Sequence, residues 1–130
     1  KGGIFFLMDL KLDTLRTTTN LKNILSRIKG ITGIQYWNVL CRWGLSLSLK
    51  QKKLPRLVDE KLDGVEIDFD VFVGKNKNIY TQLLINNLRK NKIEINRDNA
   101  YKYLIAHVNR GINIIYNKKL KNITELFEFD

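Results

Sequence analysis

The part of this sequence best suited to binding an anion is a basic segment without acidic residues. Nine lysine and arginine residues, and no aspartate or glutamate, occur between Thr14 and Val58. Cations on one face can bind successive phosphates, because each neutralised phosphate releases condensed counterions. The 130-residue chain has a formal net charge of +10, which indicates a nucleic acid or an anionic membrane surface as partner. The alternative is a solvated basic face that serves only solubility.

Within and beside this segment we predict the side chains that contact phosphate. Lys22 and Lys29 share one flank of a predicted helix, and further lysines leave the end of a second helix. A structural alternative exists for Lys29 and Lys50, which can complement the dipole of a helix C-terminus. The predicted DNA-binding residues are Lys11, Arg16, Lys22, Lys29, Lys50, Lys52 and Lys53.

Residues of other reactive types form no recognisable catalytic pattern. Cys41 is the single cysteine, so it cannot form an intrachain disulfide or a Cys-based metal site. It lies in an apolar stretch and is expected to be buried and inert. His107 and Arg110 lie one helical turn apart, with no nucleophile or carboxylate at a catalytic spacing. We predict no catalytic residue, no cofactor and a reduced, cytoplasmic location.

An acidic run follows the basic segment. The six acidic residues between Asp59 and Asp70 do not match the spacing of a calcium-binding EF-hand loop, so no metal site is predicted. From Val65 to Val71, apolar residues alternate with acidic ones. This period of two predicts a half-exposed strand or an extended arm with an acidic outer face.

Apolar periodicity predicts the remaining elements. A short strand is expected over Leu10–Thr14, and a short apolar docking segment over Ile123–Phe129. Gly30 and Gly33 should break the chain between the first two helices, whereas Gly111 indicates close approach of another helix. The predicted helices are Asn20–Lys29, Tyr36–Lys50, one marked by Tyr80, Leu84 and Leu88, and Arg97–Tyr116.

The second predicted helix is apolar on nearly every side. Such a helix cannot lie on the surface of a small monomer, so it belongs in a core or in an oligomer interface. Arg42 is its only charge before Lys50. Because burial of an unpaired charge is costly, we expect a carboxylate partner, from Asp59, from Asp13 or from another chain. The predicted oligomer-interface residues are Trp37, Leu40, Trp43 and Leu47.

This helix also carries a resemblance to a known family. The block Trp37–Leu49, WNVLCRWGLSLSL, resembles the most recognisable segment of the DNA sulfur-modification protein DndE family. Looser similarity to the same family is found in the turn at Thr32–Ile34, in Phe72–Gly74 and in His107–Ile112.

The resemblance implies a ribbon-helix-helix-like core, an oligomer and a DNA-binding role in bacterial DNA phosphorothioation. That modification replaces one non-bridging phosphate oxygen with sulfur. The family acts with a cysteine desulfurase and with partner subunits of C and D type, and a preference for nicked duplex is associated with it. In ribbon-helix-helix proteins, strands from two chains pair to form the ribbon.

Together these observations predict a mainly α fold, with a ribbon-helix-helix-like N-terminal half, a short extended arm and two further helices. Residues 1–8 are expected to be an N-terminal extension or an expression remnant, and residues 9–130 a single DndE-like DNA-binding domain. We predict a homo-oligomeric, non-membrane DNA-binding subunit that binds the duplex backbone, with nicked DNA preferred. Three alternatives stay open: a ribbon-helix-helix transcriptional regulator, a metal-dependent nuclease, and a scaffold for the partner subunits without DNA affinity.

Overall fold

A computed structural model describes residues 12–118, without the side chains of residues 76 and 77. The predictions for Lys11, for residues 1–8 and for Ile123–Phe129 concern positions outside this range. The described chain forms one mainly helical domain, as the sequence predicts. It has five α-helices, one more than the four predicted, and a two-stranded sheet. None of these helices is both long and apolar enough to cross a membrane. The elements are β1 (Thr14–Arg16), α1 (Thr19–Thr32), α2 (Trp37–Leu49), β2 (Glu66–Asp68), α3 (Phe69–Val73), α4 (Lys77–Lys90) and α5 (Arg97–Asn117).

Helix α1 has a side-chain cap at its start and a glycine at its end. Thr18 Oγ1 accepts a hydrogen bond from the Leu21 amide at 3.0 Å, which satisfies a free donor of the first turn. Gly33 ends the helix with a φ of +77°, and its N–H donates to the Lys29 carbonyl at 2.9 Å. The prediction that Gly30 also breaks the chain is wrong, because this residue lies inside α1.

The sheet pairs β1 with β2 in antiparallel register, with the fully buried Leu15 opposite Ile67. The strand–helix–helix order of the N-terminal half agrees with the prediction. The partner strand, however, belongs to the same chain, whereas a ribbon-helix-helix protein joins strands of two chains. Strand β1 also begins at Thr14, where the predicted strand was expected to end.

The acidic arm changes from strand to helix in its middle. The alternating pattern predicts a strand up to Val71, but β2 ends at Asp68 and α3 follows directly. In the helix, Phe69, Phe72 and Val73 are buried together at positions i, i+3 and i+4, while Val71 is 55% exposed. Burial of both phenylalanine rings on one side outweighs the local period of two.

The core is organised by the crossing of α2 and α5. A Cβ atom on Gly111 would lie 1.7 Å from the Gly44 carbonyl oxygen, and one on Gly44 would lie 3.0 Å from the Ile112 amide nitrogen. The two backbones therefore touch at a pair of glycines, which confirms the close approach predicted at Gly111. This contact fixes the middle of α2 against the C-terminal half of α5.

Candidate nucleic-acid interface

A concavity bounded by cationic and neutral side chains lies where α2 ends. Its volume is about 540 Å³, and it is lined by Lys50, Gln51, Lys52 and Lys53 from the turn after α2 and by Arg110 from α5. All four turn residues are exposed. The fold thus brings together three of the lysines predicted to bind DNA, and among the described residues no carboxylate lines the concavity to neutralise them.

The guanidinium group of Arg110 bridges α5 to the end of α2. Its Nε donates to Ser48 Oγ at 2.8 Å, its Nη2 to the Ser48 carbonyl at 2.8 Å and its Nη1 to the Lys53 carbonyl at 2.7 Å. The last carbonyls of a helix have no partner within the helix, so the bridge supplies donors that the sequence of α2 lacks. Burial lowers the pKa of Arg110, although an arginine remains charged at neutral pH.

A buried hydrogen-bond chain supports this bridge from behind. His107 contacts Ser48 Oγ through Nδ1 at 2.8 Å and Asn87 Oδ1 through Nε2 at 2.9 Å. Burial, and secondly the charge of Arg110, lower the pKa of His107 to about 4, so the ring is neutral at pH 7. A neutral ring that donates from Nε2 accepts the Ser48 hydroxyl proton at Nδ1, which leaves the Ser48 oxygen to accept from Arg110. His107 and Ser48 are fully buried, which makes the pair a structural link.

The opposite end of α5 carries paired charges. Arg97 donates to the Asp13 carboxylate at 3.3 Å, and Arg16 donates to Glu66 at 3.5 Å. A smaller hollow of about 290 Å³ at this end has Asp13, Arg16 and Arg97 among its walls. Arg97 lies thirteen residues before Arg110 on the same helix, a separation of about 20 Å. Arg16, although predicted to bind DNA, is therefore ion-paired and lies apart from the concavity.

Two basic residues of α1 contact aromatic rings. Lys29 Nζ lies 5.0 Å from the centroid of the Trp37 ring. Arg27 lies over the Tyr116 ring at 6.0 Å and donates to its hydroxyl at 3.0 Å. Lys22 is exposed. Lys29 thus has a stabilising cation–π contact within the chain, and a base that stacked on this face of Trp37 would have to displace it.

The predicted interface residues of α2 pack into the core of their own chain. Leu40 is fully buried, so its assignment to an oligomer interface is wrong: the apolar face that carries it is already covered within one chain. Trp37, Trp43 and Leu47 are half-buried and pack against the same core. Self-association stays a prediction. The large apolar side chains exposed in the described chain are Ile31, Tyr36, Leu57, Val71, Ile79 and Leu83.

Two chemically distinctive residues in the middle of α2 have structural surroundings. Arg42 Nη1 donates to the Phe72 carbonyl at 2.8 Å, so a backbone oxygen takes the place expected for Asp59 or Asp13. A carboxylate partner from another chain stays a prediction. Cys41 is fully buried, and burial raises the pKa of its thiol to about 12, which confirms the expected environment. In the part of the chain that the structure describes, no group of three or more His, Cys, Asp or Glu side chains is placed to hold a metal ion.

Sequence reasoning missed Arg110 as part of the basic site. The residue lies 57 positions after Lys53, whose carbonyl it binds, so no local pattern joins the two. One signal was present: unlike α1, which ends at a glycine, α2 ends in a run of lysines that supplies no left-handed cap. A helix end of this kind needs donors from elsewhere in the fold.

Comparison with known proteins places this fold in a family. Residues 14–122 match the family described as DNA sulphur modification protein DndE. The crystal structure of DndE from Escherichia coli B7A, involved in DNA phosphorothioation modification, is similar with a TM-score of 0.65 and 21% identity, over 80% of this chain and 96% of that one. A mutant DndE with two glycine-to-lysine substitutions is similar with a TM-score of 0.64 and 20% identity, over 82% and 98% of the two chains. No curated protein matches the sequence. The match over residues 14–122 shows that the chain belongs to the DndE family of DNA sulphur modification proteins.

Proposed function

We propose that this chain binds duplex DNA through the phosphate backbone, as the DNA-binding subunit of a phosphorothioate modification system. The observation that carries the proposal is the concavity of Lys50, Lys52 and Lys53 beside Arg110, which has no acidic residue in its walls. In a member of a DNA sulphur modification family, an unneutralised cationic hollow is best explained by a phosphate ligand.

Lysine ammonium groups act as point charges on phosphate and read no base sequence. We therefore expect binding that depends steeply on salt and weakly on sequence. Nicked duplex should be preferred over intact duplex, because a broken strand bends into the concavity at a lower deformation energy.

The chain presents DNA and performs no catalytic step in this proposal. The buried Cys41 thiol, with a pKa of about 12, is poorly suited to carry sulfur. Sulfur chemistry then falls to the cysteine desulfurase and to the partner subunits of C and D type, and several copies of this chain on one duplex would multiply the phosphate contacts.

The test is fluorescence anisotropy of labelled intact and nicked duplexes over a salt series without metal. Replacement of Lys50, Lys52 and Lys53 by glutamine should weaken binding by about 100-fold near 0.15 M salt and lower the logarithmic salt slope by about 3. The matched control removes the same charge from the other end of α5, with glutamine at Arg16, Arg97 and Lys102. This control should stay within about threefold of wild type, since these cations are paired with carboxylates.

Three results would contradict the proposal. Absence of binding at low salt would move the chain to the scaffold alternative. Equal losses in the two triple variants would mean that only net charge attracts DNA. Strong preference for a single palindromic site would favour a transcriptional regulator.

A further inference from the structure

The turn that carries the three lysines makes few hydrogen bonds. Apolar packing resumes just after it, where Pro55 is buried and Val58 and Leu62 pack against the core. Lys50 and Gln51 complete the last turn of α2, with the Gln51 amide donating to the Ser48 carbonyl at 3.0 Å. In the described chain, the bond from Arg110 to the Lys53 carbonyl is the one hydrogen bond that reaches residues 52–62. Residues 51–53 are exposed and lie between the end of α2 and the buried Pro55, and a backbone stretch with so few bonds opens locally unless an outside group fixes it.

The guanidinium group of Arg110 bonds to this segment and to the end of α2 rather than pointing into solvent. Three of its N–H groups bind Ser48 and Lys53, and they span the stretch from the last turn of α2 to the last lysine. His107 behind it directs the Ser48 hydroxyl, so the serine oxygen is free to accept from Nε. A planar guanidinium can make these divergent bonds at once, whereas a lysine ammonium on a flexible stem cannot reproduce the fork.

We propose that Arg110 is a positioning residue of the DNA site: it closes the end of α2 and holds Lys50, Lys52 and Lys53 in one arrangement before DNA arrives. This inference rests on the proposed function for its DNA ligand. The energetic reason is that three exposed lysines on a loose turn would lose conformational entropy on binding, and a turn ordered in advance avoids that loss.

The test compares Arg110→Lys with Arg27→Lys. Both changes keep the formal charge and the number of tryptic sites, and Arg27 is the matched control because it also bonds to α5, through the Tyr116 hydroxyl. The first readout needs no DNA: limited trypsin digestion followed by mass spectrometry gives the cleavage rate after Lys50, Lys52 and Lys53. We expect Arg110→Lys to raise that rate by about tenfold, because the turn opens locally, and Arg27→Lys to leave it unchanged.

The second readout is anisotropy with a labelled 20-base-pair duplex across a salt series, together with the melting temperature of each variant. We expect Arg110→Lys to weaken binding by about tenfold and to lower the salt slope, since fewer lysines engage phosphate together. A purely structural role would lower the melting temperature and leave the slope unchanged at temperatures where the variant is folded.

The two readouts separate the possible failures. Wild-type cleavage and wild-type DNA affinity in Arg110→Lys would overturn the inference outright. Fast cleavage with wild-type affinity would also overturn it, because the order of the turn would then not matter for binding. If the wild-type chain binds no duplex, the proposed function fails, and the cleavage rates still decide whether Arg110 holds the turn.

Discussion

The two ends of helix α5 lie beside similar numbers of cations, but these cations are paired with carboxylates at one end and not at the other. At the N-terminal end, Arg97 is bonded to Asp13, and Lys102 to Asp98 at 3.0 Å. Near the C-terminal end, Arg110 bonds only to hydroxyl and carbonyl oxygens of α2 and the turn after it. The lysines of that turn line the concavity without a carboxylate among them. Charge is therefore balanced within the chain at one end and left for an external anion at the other.

The difference shows that the number of cations is a poor guide to a binding site. A cation that already bonds to a carboxylate gains less from a phosphate, since the first bond must be broken or shared. Cations held by neutral oxygens keep their full field, and their mutual repulsion is relieved only by an anion. The composition of the neighbours thus decides which end of α5 we propose as the DNA site.

The largest expected effect comes from the glycine contact that fixes α2, and with it the lysine-bearing turn, against α5. Gly111→Val places a branched side chain against the Gly44 carbonyl, where even a Cβ would lie at 1.7 Å, so α2 must move away from α5. We expect a loss of more than about 3 kcal/mol in the free energy of unfolding, measured by urea titration. Gly30→Ala is the control: it lies inside α1 with open space around it and should stabilise the chain by up to about 1 kcal/mol. Equal stability of the Gly111 variant and wild type would contradict the packing of the two helices.

A second prediction concerns the pH dependence of stability, and it involves the end of α5 that carries His107 and Arg110. The pKa of His107 is about 4 in the folded chain, against an ordinary value of 6.5. Between these values the unfolded chain binds more protons, so folding stability rises with pH. The contribution of the neutral His107 ring to the free energy of unfolding is complete above about pH 6.5. It is lost as the pH falls toward 4, by about 3 kcal/mol in all.

Urea unfolding at pH 7.5, 5.5 and 4 checks this value. His107→Gln removes the titrating group, and the difference in pH slope between it and wild type isolates the histidine from the carboxylates. Trypsin cleavage after the lysines of the turn, divided by the rate on an unfolded peptide at the same pH because trypsin itself slows in acid, should also rise on acidification in wild type. A protonated ring donates to Ser48 and competes with Arg110 for its oxygen. Parallel pH curves for wild type and His107→Gln would contradict the neutral, buried ring.

Much of this fold could be predicted from the sequence, because the patterns that specify most of its helices lie within a few neighbouring residues. The apolar period of α1 and α5 and the Gly33 stop are read within a few residues. The change from strand to helix at Phe69 was missed because the alternating pattern and the helical pattern share the same residues, and only packing of Phe72 into the core decides between them. Leu40 was misassigned for a related reason, since an apolar helix face does not say which chain covers it.

The candidate site was only partly predictable. The lysines after α2 form a visible run, but whether a cation is neutralised depends on residues far away in sequence: Glu66 lies 50 residues from Arg16. The role of Arg110 depends on a contact across 57 residues and on the backbone of α2, which no pattern of side chains encodes. Charge can be counted from a sequence, whereas its balance is a property of the fold.

The smallest expected effect is at the N-terminal end of α5, where the cations are paired with carboxylates. It tests whether removing a carboxylate there creates a DNA-binding surface. Glu66→Gln leaves Arg16 without its carboxylate and removes an exposed bond of 3.5 Å. Exposed pairs of this kind contribute little, so the free energy of unfolding should change by less than about 1 kcal/mol. The freed arginine lines the hollow at this end of α5 and should raise DNA affinity by no more than a few-fold at low salt, measured by the same anisotropy assay. Asp98→Asn, which releases Lys102 at the same end, is the matched control and should behave alike. A gain in DNA affinity as large as the loss caused by the three lysine substitutions would contradict this prediction. It would show that DNA also reaches the N-terminal end of α5, and that the carboxylates there limit binding.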